Sequence, residues 1–269
     1  MIIPSPVINQ TYPVRPSKYA AKVNGKDLFH GFFDWLILCE HLISRLPDVA
    51  NIVEVGVYQG RCSVYMREVI DYNRPTAQIK QFCLDLFAPS ERKDQYGEVV
   101  RTEKGETISD WGFNEAFYFV TKVEPQKYAN GRSYLDDMYP VKAPSRMGLK
   151  MFDKNIPGDQ IDMLIIDGDH SAWGCYEDLL LGVPRTADGG FVVVHDYHNE
   201  HCCEGVTTAI DIFAEDNKDL TVFSYQSENV PGNSKNEVLY FEVPKGFAFN
   251  FKTKEEFEKA IKKRAKKSA

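Results

Sequence analysis

The sequence lacks the long apolar runs, the leader segment and the cysteine framework of membrane and secreted proteins. No apolar run approaches the roughly 18 residues that a membrane-spanning helix requires. The opening segment MIIPSPVINQ has no basic stretch followed by an apolar core, so it is not typical of a signal peptide. The 6 cysteines are scattered, which is typical of reduced thiols rather than of a disulfide scaffold. These absences predict a cytoplasmic protein.

The chain also lacks an excess of basic residues. Its 32 Lys and Arg against 39 Asp and Glu give a formal net charge of −7, which argues against a dedicated nucleic-acid-binding surface. Basic residues concentrate from Lys252 onward, and we interpret residues 247–269 as a basic C-terminal tail that forms a solvated helix. We therefore expect neither a nucleic acid nor a membrane as a partner.

Three separated segments each end a run of Ile and Val in polar residues. They are NIVEVGVYQG from Asn51, IDMLIIDGDH from Ile161 and GGFVVVHDYH from Gly189. Such runs are typical of strands buried on both faces of a parallel sheet. Open α/β sheets bind ligands at the carboxyl ends of their strands. The polar residues there are therefore candidate site residues: Glu54, Asp167, Asp169, His195 and Asp196.

The order of helical and strand patterns predicts the architecture. The patterns alternate through residues 28–246, which we take as one domain. Its last two strands, at 220–225 and 237–243, have no helix between them and should pair as an antiparallel hairpin. This order predicts a three-layer α/β/α sandwich with a mostly parallel sheet. Residues 1–27 are interpreted as an N-terminal arm, and the polar residues 88–112 as an insertion that closes over a site as a lid.

A glycine turn follows the first strand. Glu54, Gly56 and Gly60 match neither the GxGxxG of pyrophosphate binders nor the phosphate-binding P-loop. The turn therefore suits a nucleoside cofactor without a pyrophosphate. Asp85 ends the second strand, where an acid can accept the ribose hydroxyls of a nucleoside. A helix cap or a loop acid is the alternative for Asp85.

These segments resemble class I S-adenosylmethionine-dependent methyltransferases, in the branch of macrocin O-methyltransferase and cephalosporin hydroxylase. The resemblance rests on VEVGVYQG, CLDLF, DMLIIDGDHS and GGFVVVHDYHNEHCCEGVTTAIDIF, and it covers roughly residues 28–243. It implies a Rossmann-like three-layer α/β/α sandwich, with a mostly parallel seven-stranded sheet that ends in an antiparallel hairpin. It also implies S-adenosyl-L-methionine as the cofactor.

The resemblance assigns individual residues to the cofactor. Asp85 would hold the ribose hydroxyls, Ser145 and Arg146 the adenine, and Asp167 would lie beside the transferred methyl group. The complete cofactor-binding set that it implies is Glu54, Gly56, Tyr58, Gly60, Asp85, Ser145, Arg146, Asp167 and His170.

Two routes for removing the proton of a substrate hydroxyl stay open. Metal-dependent relatives hold Mg²⁺ or another divalent metal at positions that correspond to Asp167, His195 and Asp196, and such an ion would lower the hydroxyl pKa. His195 departs from the acids and amides of those relatives, and Mg²⁺ prefers oxygen ligands. In the second route a neutral imidazole takes the proton, which makes Asp167, His195 and His198 the catalytic set.

The predicted function is O-methylation of a small hydroxylated molecule, such as a sugar or a natural product. One alternative is a non-methylating relative of the oxidoreductase or hydroxylase type. Another is an accessory protein that binds the cofactor without transferring its methyl group. An extended N-terminal arm is also typical of chains that pack on a second copy, so a homo-oligomer is compatible with the sequence.

Overall fold

The computed structural model describes residues 1–7, 35–57, 60–87, 90–91, 109–110, 136–198, 203–226 and 237–268. Their strands are β1 (Ile2–Pro4), β2 (Val49–Val55), β3 (Gln78–Asp85), β4 (Ser90–Glu91), β5 (Ser109–Asp110), β6 (Met138–Lys142), β7 (Ile161–Ile166), β8 (Thr186–Tyr197), β9 (Val222–Gln226) and β10 (Glu237–Glu242). Their α-helices are α1 (Leu36–Arg45), α2 (Arg61–Asn73), α3 (Ser145–Gly148), α4 (Ala172–Gly182), α5 (Glu204–Asp216) and α6 (Lys254–Ser268). Short 3₁₀ turns follow α3 at Leu149–Met151 and α4 at Val183–Arg185.

Eight strands form one sheet in the order β1-β9-β10-β8-β7-β2-β3-β6. The strands from β8 through β6 are parallel, whereas β10 is antiparallel to both β8 and β9. This topology confirms the predicted Rossmann-like sandwich and its closing antiparallel pair. The expected number of seven strands is corrected to eight, because β1 pairs in parallel with the outer strand β9, with Ile2 opposite Val222.

Successive side chains of a strand point to opposite faces of the sheet. The central strands therefore contribute to two hydrophobic cores, one on each face. Ile52 and Met163 pack in the cluster that contains the apolar residues of α1 and α2. Their neighbours Val53 and Leu164 pack in the cluster that contains α4 and α5. Full burial of such an aliphatic side chain stabilises the fold by about 1.5–3 kcal/mol. Helices on both faces thus hold the sheet rigid under its carboxyl edge.

The two terminal segments contact the sandwich. Residues 2–4 form the edge strand β1, while most of the proposed arm lies outside the described residues. The basic segment forms α6, and its Phe257 is fully buried in the core shared with α4 and α5. Arg264 of α6 also contacts Asp211 at 3.0 Å and Glu215 at 2.8 Å on α5. The helix is therefore docked on one face and solvated on the other.

The insertion at 88–112 is described only at its two ends. Ser90–Glu91 and Ser109–Asp110 pair antiparallel as a separate two-stranded sheet, and the segment expected to act as a lid lies outside the described residues. Among the described cysteines, all five thiols are free. None of the described helices combines the length and the apolar composition needed to cross a membrane.

Candidate functional site

The chain reverses direction across the sheet at β2. It runs outward through β3 and β6 and then returns to the other side of β2 as β7. Such a reversal opens a crevice outside the carboxyl ends of the strands, where open α/β sheets bind ligands. The ends of β2, β3, β7 and β8 all lie at this edge, which we call the carboxyl edge. The predicted site residues can therefore meet there.

The glycine turn after β2 allows a close approach of two strand ends. Gly56 has φ +83°, and a Cβ at this position would lie 2.1 Å from the carbonyl oxygen of Asp167. Gly60 has φ +76° and directly precedes α2. Only glycine adopts both conformations at low cost. The turn thus brings the first turn of α2 next to the end of β7. Tyr58 lies outside the described residues.

Asp85 connects this turn to the loop after β3. One carboxylate oxygen accepts a hydrogen bond of 2.9 Å from the backbone N–H of Val57, and the other accepts one of 2.9 Å from the N–H of Phe87. Asp85 therefore fixes the walls of the crevice at the carboxyl end of β3.

Glu54 is buried, although the resemblance assigns it to the cofactor. The hydroxyl of Ser63 on α2 donates to its carboxyl group. Burial raises the pKa of Glu54 to about 8, and hydrogen bonds from Ser63 and Cys62 offset only part of this effect. The Glu54 carboxyl is consequently protonated at neutral pH and lies beneath α2, where it supports the turn from inside the protein.

Asp167, His195 and Asp196 converge at the centre of the carboxyl edge. Nδ1 of His195 lies 3.5 Å from Oδ1 of Asp167 and 3.2 Å from Oδ1 of Asp196. Nε2 of His170 lies 3.6 Å from Oδ1 of Asp167 and 3.4 Å from Oδ2 of Asp196. One ligand atom from each of Asp167, His195 and Asp196 lies within 4.8 Å of the others. The sheet thus brings the expected metal-ligating set together and places His170 beside it.

The charges within this cluster depend on one another. Burial opposes protonation of His195, but the carboxylates of Asp167 and Asp196 raise its pKa well above the usual value. Burial opposes ionisation of Asp167, but the charge of His195 and the contacts with His170 lower its pKa overall. Without a bound cation, His195 therefore carries a proton between two carboxylates. In that state it cannot act as a base.

The backbone at the end of β8 is held in an unusual conformation. Asp196 has φ +63° and His198 has φ +54°, in the left-handed region that costs non-glycine residues about 1–3 kcal/mol each. The N–H of His198 donates to the hydroxyl of Thr207 on α5 at 2.9 Å. The ring of His198 is directed toward β10, where its Nδ1 lies 3.4 Å from Oε1 of Glu237. His198 is thus exposed, and its described ion pair is with Glu237 rather than with an acid of the central cluster.

A model of the methyltransferase-domain family matches residues 53–197, which is more than half of the chain. The chain belongs to this family. The matched region begins in β2 and ends with β8, so it includes the glycine turn and the whole central cluster.

Solved structures share the fold of this methyltransferase-domain protein. The O-methyltransferase NovP is similar with a TM-score of 0.52 and 14% identity, over 82% of this chain and 84% of that chain. An O-methyltransferase from Bacillus cereus, in complex with SAH, is similar with a TM-score of 0.52 and 11% identity, over 81% of this chain and 84% of that chain. No curated protein sequence matches the chain. The predicted class of methyltransferase is confirmed by the family match and this fold.

Two further acids near the cluster make structural contacts within the methyltransferase domain. Asp169 accepts a hydrogen bond of 2.9 Å from the N–H of Ser171, whose hydroxyl caps α4 by accepting from the N–H of Gly174 at 3.1 Å. A Cβ on Gly174 would lie 2.3 Å from the Asp169 carboxyl, so this glycine is needed for the contact. Asp169 is therefore a capping residue.

Asp178 was missed by the sequence analysis. It is buried on α4, where its carboxyl is hydrogen-bonded to Ser145. Burial raises the pKa of Asp178 to about 7. Asp178 thereby holds the half-buried Ser145 of the expected adenine subsite, whereas Arg146 is exposed. An acid within the apolar run of α4 is the signal that marks it in the sequence.

Proposed function

We propose that this protein transfers a methyl group from S-adenosylmethionine to a hydroxyl oxygen of a small molecule, such as a sugar or a natural product. The observation that carries the proposal is the cluster of Asp167, His195 and Asp196 beside the glycine turn, inside the family-matched region. Two solved structures with this fold are named as O-methyltransferases, and one of them holds SAH. Those names support an oxygen atom as the methyl acceptor and S-adenosylmethionine as the cofactor.

The glycine side of the crevice is proposed to hold the cofactor. Gly56 and Gly60 give the turn its left-handed conformation and close it against the end of β7, and the cofactor would bind beside this turn. Asp85 is fixed by two backbone N–H groups, and its carboxylate would accept hydrogen bonds from the ribose hydroxyls. Ser145, held by Asp178, would contact the adenine.

The β8 side is proposed to bind the acceptor. The cofactor supplies an electrophilic methyl group, and the acceptor hydroxyl loses its proton as the new oxygen–carbon bond forms. His198 is the exposed histidine on this side of the crevice, and a neutral imidazole there would take that proton. Asp167 is held as a carboxylate and would lie beside the transferred methyl group, where its negative charge suits the sulfonium cation of the cofactor.

The same cluster fits a divalent metal ion. Asp167, His195 and Asp196 offer two carboxylates and an imidazole within 4.8 Å of one another, which is a donor set found in protein metal sites. A cation would also balance the two carboxylates when His195 loses its proton. The chemistry that such an ion supplies is a lowered pKa of the acceptor hydroxyl.

Calorimetric titration with S-adenosylmethionine, followed by an assay for S-adenosylhomocysteine with a panel of hydroxylated acceptors, tests this function. Asp85→Ala should weaken cofactor binding by about 1.5–3 kcal/mol, because a charged acceptor is lost. The matched control is Asp153→Ala, an exposed loop acid that caps the N–H of Asn155 at 2.9 Å.

Each failure of this test has a distinct meaning. Failure of the wild type to bind S-adenosylmethionine would contradict the proposal. Equal cofactor affinity in Asp85→Ala and wild type would contradict the role of Asp85. Tight binding without S-adenosylhomocysteine from any hydroxylated acceptor would favour the cofactor-binding accessory protein.

A further inference from the structure

The donor atoms of the central cluster have the spacing of ligands around one ion. Two donors that bind a metal at about 2.1 Å are about 3.0 Å apart at a right angle and about 3.4 Å apart at a tetrahedral angle. Nδ1 of His195 lies 3.2 Å and 3.5 Å from the nearest carboxylate oxygens of Asp196 and Asp167. Both separations suit donors on one ion, and the oxygens of Asp167 and Asp196 lie within 4.8 Å of each other.

A second layer of side chains holds these donors. His195 faces Oδ1 of Asp196, whereas Nε2 of His170 lies 3.4 Å from the other oxygen, Oδ2. Nδ1 of His170 lies in turn 3.5 Å from Sγ of the buried Cys203. Outer side chains of this kind orient metal-ligating carboxylates. Asp196 is thus contacted at both oxygens, and the ring that contacts Oδ2 is itself packed against a thiol.

We propose that Asp167, His195 and Asp196 form a site that selects a transition-metal ion such as Co²⁺ or Zn²⁺ over Mg²⁺, with His195 setting the preference and His170 as a positioning residue. The inference rests on the metal-assisted form of the proposed function. Imidazole nitrogen suits transition-metal ions, whereas Mg²⁺ takes oxygen ligands. A nitrogen as one of three protein ligands therefore penalises Mg²⁺ more than Co²⁺.

The central test replaces the nitrogen donor by oxygen. Affinities of the metal-free wild type and of His195→Asp for Co²⁺ and Mg²⁺ are measured by calorimetry, without cofactor or acceptor. The affinity for Co²⁺ divided by the affinity for Mg²⁺ should fall by at least about tenfold in His195→Asp. Many protein sites prefer Co²⁺ to Mg²⁺, so the change in the ratio decides rather than its value in the wild type. His198→Gln, which alters the neighbouring exposed histidine, should leave the ratio unchanged.

The role of His170 is tested separately. His170→Ala should weaken binding of both ions by about 10–100-fold with little change in their ratio, because it removes a contact to Asp196 rather than a ligand. Pulsed electron paramagnetic resonance of bound Mn²⁺ supplies a direct readout of ligation. It should show coupling to a ligand nitrogen in the wild type and in His170→Ala, and none in His195→Asp.

Several results would overturn the inference. They are absence of Co²⁺ binding by the wild type, an unchanged ratio in His195→Asp, or nitrogen coupling that persists in that variant. Should His195→Asp fail to fold, absence of nitrogen coupling in the wild type alone overturns the inference. Titration of the same metal-free samples with S-adenosylmethionine is read independently. Absence of S-adenosylmethionine binding by the wild type would contradict the proposed methyl transfer, but it would not change the conclusion about metal selectivity.

Discussion

Strand β7 has an acid at each end, and the two acids are stabilised in different ways. At the amino end, Asp162 accepts a hydrogen bond of 2.7 Å from the N–H of Asn51, whose side-chain amide donates to the carbonyls of Gly158 and Gln160 at 2.8 Å. At the carboxyl end, Asp167 faces the imidazoles of His170 and His195. Backbone amides carry no ionisable group, whereas the imidazoles beside Asp167 are ionisable and can also bind a metal ion. The amino end therefore serves stability, and the carboxyl end is suited to chemistry.

The largest expected effect comes from removing a carboxylate of the carboxyl edge. Asp196→Ala should lower kcat for methyl transfer by at least about 100-fold, because assisted proton removal contributes about 10²–10⁴-fold and Asp196 is a proposed ligand of the ion that would assist it. Asp188→Ala is the matched control, since this exposed acid lies near the start of the same strand and faces Lys154 at 3.6 Å. Its kcat should stay at the wild-type value. Equal kcat in both variants would remove the central cluster from the mechanism.

A smaller effect, on stability alone, is expected at the amino end. Asp162→Ala leaves the buried N–H of Asn51 without its acceptor and should lower the free energy of unfolding by about 1–3 kcal/mol. Urea denaturation measures this loss, with the exposed Asp159→Ala as control. Methyl transfer per folded molecule should not change. A stable Asp162→Ala protein with lost activity would contradict the division between the two ends.

The smallest effect extends the comparison to Glu54, a buried acid with no cation beside it among the described residues. The pKa of Glu54 is about 8 in the folded protein against a reference value of 4.5. As pH rises through this window the unfolded chain loses its proton first, so wild-type stability falls by at most about 1.4 kcal/mol per pH unit.

The variant Glu54→Gln should lose this pH dependence. Urea denaturation at pH 6 and pH 7 should therefore show a smaller drop in the free energy of unfolding for Glu54→Gln than for the wild type. Glu242→Gln, at an exposed position, should follow the wild type. Parallel behaviour of all three proteins would mean that Glu54 is ionised in the folded state.

The central strands and the meeting of Asp167 with Asp196 could be predicted from the sequence. Runs of Ile and Val specify buried parallel strands, and the carboxyl ends of such strands meet at one edge. The burial of Glu54 could not be predicted, because it depends on how Ser63 of α2 packs over β2. The capping role of Asp169 was signalled locally, since Ser171 and Gly174 follow it in the order expected at a helix start.

Contacts between distant parts of the chain explain the remaining differences. Strand β1 has three residues, too few for a periodic pattern, and it pairs with residues more than 200 positions away. Helix α6 has a predominantly charged sequence, and a single fully buried aromatic residue, Phe257, marks its inner face. Composition alone therefore favoured a solvated tail, although the aromatic residues of the FAFNF segment before it indicate a docked one.

The left-handed backbone at Asp196 limits which substitutions descendants of this sequence could tolerate at the site. Glycine adopts φ near +63° freely, and asparagine and aspartate adopt it more readily than β-branched and bulky residues do. Of these three, only asparagine and aspartate keep a side-chain oxygen in place. Asparagine is therefore the substitution for Asp196 that keeps the backbone turn and a side-chain oxygen while it removes the negative charge. A lineage that lost the chemistry could keep the fold almost unchanged.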